Sequence, residues 1–158
     1  MKKTSKVINI RPNKAFTIIE FAVVIIIVGL FFMTFTPAAL KMVETAKTNT
    51  TSQVIEEMQT DIDDFYKNNG RYPDSLEEVF GEVPLDEWGN PFQYLNMAKA
   101  KGNGKKRKDK NLVPINSDYD LYSMGPDGET ASPLTASISQ DDIIRGRNGV
   151  FVGLATEY

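Results

Sequence analysis

The sequence predicts an α+β chain: one long N-terminal helix, apolar in its first half and amphipathic in its second, followed by a small domain of short strands and turns. Three observations predict it. From Phe21 to Leu40 the only polar side chains are Thr34 and Thr36. Beyond that run Val43, Ala46, Val54, Met58, Ile62, Phe65 and Tyr66 recur mostly at three- and four-residue steps, with Glu56, Glu57, Asp61, Asp63 and Asp64 between them. That is the pattern of a helix with one buried face. After Gly70 the chain changes to short apolar stretches punctuated by Pro, Gly and Asn, which read as strands and turns.

The apolar run, at about 1.5 Å per residue, extends roughly 30 Å and matches the hydrocarbon core of a bilayer. At its leading edge stands one carboxylate, Glu20. An ionised side chain there costs up to about 3 kcal/mol at depth unless a partner neutralises it. The preceding residues 1–15 carry Lys2, Lys3, Lys6, Arg11 and Lys14 and no acid, whereas the rest of the chain holds 13 basic residues against 21 acidic ones. By the positive-inside rule the basic leader stays cytoplasmic and the acidic domain lies across the membrane. Three readings address these first 40 residues. A cleaved secretory signal peptide requires a shorter run, and a plain signal anchor leaves Glu20 unexplained. A leader cut after Ala15 keeps the span in the mature chain and sets a new amine on Phe16, four residues from Glu20.

Composition narrows the chemistry. With no Cys and no His, disulfides, thiolate catalysis and the usual general base and metal ligand are excluded. The adjacent Asp141 and Asp142 are the best candidates for an acid/base pair in a membrane-anchored hydrolase. Neighbours on one chain seldom point at one substrate, so no enzyme activity is expected.

Element by element, Asn68-Asn69-Gly70 tolerates the left-handed conformation and ends the helix near Asn68, about 53 residues and roughly 80 Å from Phe16. The divisions are therefore 1–15 leader, 16–40 membrane half, 41–68 amphipathic half and 69–158 globular domain. Gly29 and Pro37 interrupt the membrane half, and Pro37, lacking an N–H, predicts a kink or a locally melted turn. Ser75 to Phe80 reads as a short helix capped by Ser75 or Asp74. Leu85 to Tyr94 reads as a Gly-Asn-Pro turn leading into an alternating strand, with Trp88 as a core aromatic.

Residues 99–110 form a basic, apolar-poor loop expected to be exposed and flexible. It reads as a solvated loop or as a charge partner for an acidic neighbour. Without interleaved aromatics for base stacking, nucleic-acid binding is not expected. Tyr119 to Glu129 is a strand entering a Pro126-Asp127-Gly128 turn, and Gln140 to Ile143 brings a second acidic pair, so residues 123–143 form an acidic loop. Residue types alone allow ordinary turn acids or oxygen ligands for a hard cation. Val150 to Leu154 reads as an additional short strand that covers a sheet edge or contacts a neighbour.

Lys14-Ala15-Phe16-Thr17-Ile18-Ile19-Glu20 followed by an apolar run resembles the class III leader of type IV pilins and type II secretion pseudopilins. The resemblance implies that a prepilin peptidase cuts between Ala15 and Phe16, that Phe16 is N-methylated, and that Glu20 is the fifth mature residue. Ala15 stands where the family has Gly; both are small. The resemblance pairs Glu20 with the Phe16 amine of a neighbouring subunit, a non-closing contact that builds a helical filament. A snorkelling interfacial acid is the alternative reading of Glu20. The resemblance further implies a pilin fold, with the long helix packed on a small antiparallel β-sheet. It also implies unwinding between Gly29 and Pro37 on assembly, beside the plain kink.

Tyr72-Pro73 and the Asp86-x-Trp88-Gly89-Asn90-Pro91-Phe92 turn look like the major pseudopilins of type II secretion. The Ser123-x-Gly125-x-Asp127-Gly128 turn with Asp141-Asp142-Ile143 looks like their calcium loop. That implies Ca²⁺ held by the Met124 carbonyl, Asp127, Asp141 and Asp142, with Glu129 as a further candidate. Three segments exceed the family pattern: the basic loop 99–110, residues 130–139 and the tail 144–158. The implied function is a structural subunit of a periplasmic pseudopilus that drives export of folded proteins. Its anchor is a single pass through a bacterial inner membrane, with the C-terminal domain periplasmic. Minor pseudopilins and an inner-membrane assembly platform are the implied partners. A type IV pilus or competence pilus subunit is the alternative.

Overall fold

One helix, α1, spans Ile18–Asn69 in the structure, a computed structural model that describes residues 16–158. The leader 1–15, including Ala15 and its half of the expected cleavage site, lies outside the described residues. The chain divides into two units between Lys41 and Met42. In the first, α1 is long and apolar enough to cross a membrane, and Phe21, Ile25, Leu30, Phe31 and Phe32 are exposed. The helix continues through Pro37, so this stretch is helical rather than melted.

In the second unit α1 continues to Asn69, where the chain leaves it through Gly70 at φ +69° with the Gly70 N–H on the Tyr66 carbonyl at 2.8 Å. Glycine takes that left-handed conformation at little cost. A single-turn helix, α2 (Glu77–Phe80), follows, and then four strands: β1 (Gln93–Asn96), β2 (Tyr119–Ser123), β3 (Ile143–Gly146) and β4 (Phe151–Leu154). They pair antiparallel in chain order, β1-β2-β3-β4. The fold is therefore the expected α+β arrangement of long helix and small antiparallel sheet. The Val150 to Leu154 segment is the edge strand β4, with Gly146 opposite Phe151 and Ile143 opposite Leu154.

Side chains alternate across the sheet, as the pleat requires. Tyr119, Leu121 and Ile143 face α1 and pack with Ile55, Met58 and Ile62, joined by Leu76 and Phe92. Burying each such aliphatic side chain contributes about 1.5–3 kcal/mol. Ile144 and Tyr122 face the other way, into a second cluster with Ile115, Leu134, Ala155, Phe151 and Tyr158. Segments of the loops and the C-terminal tail thus cover the sheet face that α1 does not.

Three local expectations are corrected. The buried stripe of α1 runs Thr51, Ile55, Met58, Ile62, while Val43 and Tyr66 are exposed. α2 is capped by neither Ser75 nor Asp74: its N-cap is Leu76, which makes no side-chain cap bond and is buried in the core. The carboxylate of Glu78 instead reaches back to the Asp74 N–H at 2.7 Å and pairs with Arg71. Burial along β1 does not alternate: Gln93, Tyr94 and Leu95 are half-buried and Asn96 is buried.

Candidate functional site

At the start of α1, Thr17 and Glu20 cap the helix. The Thr17 N–H and hydroxyl both donate to Glu20 Oε2 at 2.9 Å, and the Glu20 N–H returns to Thr17 Oγ1 at 3.3 Å. This reciprocal exchange satisfies donors that a helix N-terminus leaves open. The carboxylate therefore has a partner three residues away in its own chain. Phe16 is exposed. A Cβ on Gly29 would meet nothing within 4 Å.

In the second unit, the turn around Trp88 is organised by Asp86. Asp86 Oδ1 accepts the N–H groups of Trp88 at 3.0 Å and Asn90 at 2.8 Å, and Gly89 closes the turn at φ +89°. Trp88 lies at the margin of the core, half-buried, with its Nε1–H on Glu44 Oε2 at 3.0 Å. Asn90 donates to the Gly125 carbonyl at 2.8 Å, which ties the turn to the acidic loop. The Tyr72-Pro73 carbonyls are likewise used. Pro73 O accepts the Tyr94 hydroxyl at 3.0 Å and the Asn96 amide at 3.1 Å, and the same amide reaches Tyr72 O at 3.3 Å.

In the acidic loop the expected ligands have separate surroundings. Asp127 is exposed and its Oδ1 accepts the Glu129 N–H at 2.8 Å, an Asx turn; Glu129 is also exposed. Gly125, at φ +65°, lies so close to the Asp141 backbone that no Cβ fits between them. Met124 and Asp141 are half-buried. Asp142 is fully buried and its Oδ2 accepts from Arg107 Nη2 and, at 2.7 Å, from the Thr130 hydroxyl. Burial pushes the Asp142 carboxyl up to about 6, against the pull of Thr130 and Arg107. Among the described residues no three acidic side chains converge closely enough to hold a metal ion. Calcium prefers six to eight oxygens; here Asp142 Oδ2 is taken by a guanidinium and Asp127 Oδ1 by a turn, so the donor set as it stands falls short of that cage.

The basic loop is corrected most. Arg107 is one of the largest fully buried side chains of the domain, not a solvated charge. Its N–H donates to Asp120 Oδ2 at 2.8 Å, and Lys108 bridges to Pro114 and Pro133. Lys101 and Lys105 stay exposed. A second buried cation, Arg145 on β3, forks onto Asp118 at 2.9 and 2.7 Å. It also reaches the Tyr119 carbonyl at 3.0 Å and Gln59 at 2.8 Å, with its guanidinium carbon 3.8 Å from the centre of the Tyr119 ring. The bidentate Asp118 contact and the ring stack are geometries available to arginine and not to lysine.

No family model matches the chain, and no solved structure matches it significantly. Among curated proteins it is similar to the type II secretion system core protein G of Pseudomonas aeruginosa, 25% identical over 140 aligned residues that cover 75% of this chain and 87% of the relative. The long apolar helix, the four-stranded antiparallel sheet and the similarity to this core protein G agree with the chain's resemblance to the pseudopilins.

Proposed function

We propose that the chain is a structural, non-enzymatic subunit that is stored in the inner membrane and polymerises into a periplasmic pseudopilus serving type II secretion. The observation that carries this reading is the union, in one helix, of a membrane-length apolar half beginning at Phe16-Thr17-x-x-Glu20 and a half that forms the core of the domain. Similarity to a core protein of that system supports it. After cleavage behind Ala15 by a prepilin peptidase, the Phe16 amine of one subunit neutralises Glu20 of the next. The exposed Met42 and Val43 then pack against neighbouring helices. Minor pseudopilins and an assembly platform complete the machine.

The test is genetic. Deleting the chain from its host is expected to abolish export of a folded substrate while twitching and transformation persist. Loss of twitching or transformation with secretion intact would assign it to a pilus instead.

A further inference from the structure

Asp142 is fully buried, and an isolated buried carboxylate is costly. The cation beside it belongs to the chain. Arg107 Nη2 donates to Asp142, Nη1 donates to the Thr130 hydroxyl and the Ala131 carbonyl, and the guanidinium carbon lies 4.5 Å from the centre of the Tyr122 ring. Arg107, Thr130 and Ala131 come from 99–110 and 130–139, two of the three segments that exceed the pattern the resemblance implies. They are sewn together by the backbone: Lys108 N–H to Ser132 O at 3.0 Å and Leu134 N–H to Lys108 O at 2.9 Å.

We propose that Arg107 is the resident cation of the acidic loop, so that the loop closes on a guanidinium rather than on Ca²⁺. A dication drawn to Asp142 would share that carboxylate with the guanidinium, and like charges at such range repel strongly in a low-dielectric interior. Asp142 Oδ1, buried without a hydrogen-bond partner, is the atom that a calcium ion would have to reach past the guanidinium. The inference stands apart from the filament reading, because it concerns what holds the domain together and is measured without assembly.

The test uses the full-length chain in detergent micelles, melted with its single tryptophan, Trp88, as reporter, once in EGTA and once with excess calcium chloride. The wild-type Tm is expected to be the same in both. Arg107→Met should lower Tm by about 10 °C with or without calcium, because it leaves a buried carboxylate unpaired. The double variant Arg107→Met/Asp142→Leu should recover most of that loss, since a buried ion pair is replaced more easily by apolar side chains than halved. A wild-type Tm that falls in EGTA overturns the proposal, and so does a double variant no more stable than Arg107→Met. Should Arg107→Met fail to fold, the wild-type comparison and the folding of the double variant decide the matter alone.

Discussion

The Ser123 hydroxyl donates to Asp86 Oδ2 at 2.6 Å, so the last residue of β2 holds the turn that carries Trp88. Asp86 spends its other oxygen on two backbone N–H groups. Removing the carboxylate orphans all three donors. Asp86→Ala is expected to cost about 1–3 kcal/mol, read as a lower urea midpoint of Trp88 fluorescence. Asp86→Asn, which keeps one acceptor, should cost less, and equal losses would show that the turn is held by packing instead.

Glu20 has two roles that separate by substitution. A glutamine still completes a Thr-x-x-Glu/Gln capping box but carries no charge. Glu20→Gln should therefore insert and start its helix normally yet fail to assemble. Thr17→Ala should weaken the helix start by about 1 kcal/mol and still assemble. Filament yield after crosslinking reads both, and assembly of Glu20→Gln at wild-type levels would remove the intersubunit pairing.

Processing is checked by mass. The mature chain is expected to begin at N-methylated Phe16. An intact leader, or a cut beyond the apolar run, would replace the pilin-type leader with a plain anchor or a signal peptide.

Arg145 reaches Asp118, Gln59 and two atoms groups of Tyr119, its carbonyl and its ring, from a nearly sealed position. Arg145→Met leaves buried acceptors unpaired and should cost about 3–5 kcal/mol. Arg145→Lys keeps the charge but not the fork and should recover only part of that. Denaturant unfolding of the three chains measures it, and full rescue by lysine would reduce the site to simple charge.

Alkaline pH should unfold the domain through its tyrosines. Burial raises the Tyr94 and Tyr119 phenols well above their ordinary range near 10. Because the folded values are raised, their contribution is fully present below about pH 10 and is lost as pH climbs past it, where the unfolded chain sheds protons the folded chain retains. Phenolate absorbance and Trp88 fluorescence should then move together in one step above that pH. Tyr94→Phe should make the alkaline transition shallower.

How far the fold was readable from the residues depends on the range over which each signal acts. The long helix is legible because a 3.6-residue period and a membrane-length apolar run are local properties of the chain. So is its end at Gly70. The Thr17-x-x-Glu20 cap is equally local, since its two partners lie three residues apart. Thr51 and Ile55 are harder to read as core, because the stripe is narrow and its polar member, Thr51, breaks the hydrophobic pattern. Arg107 could not be read. It sits among lysines that are exposed or half-buried, and what distinguishes it is partners at 120, 130 and 142, which only the folded sheet brings within reach. The surroundings of the acidic loop are no more legible: the spacing of Asp127, Asp141 and Asp142 says nothing about a guanidinium that arrives from another loop.

The meander order of the sheet has a kinetic consequence. Each strand pairs with the one before it in the chain, and the β3–β4 hairpin closes over residues 147–150 alone. Loop-closure entropy for that pair is small, whereas β1 to β2 must first close residues 97–118. The C-terminal hairpin can therefore form early and wait as a template, and the rate of folding is set by how quickly the long segment carrying Arg107 finds it.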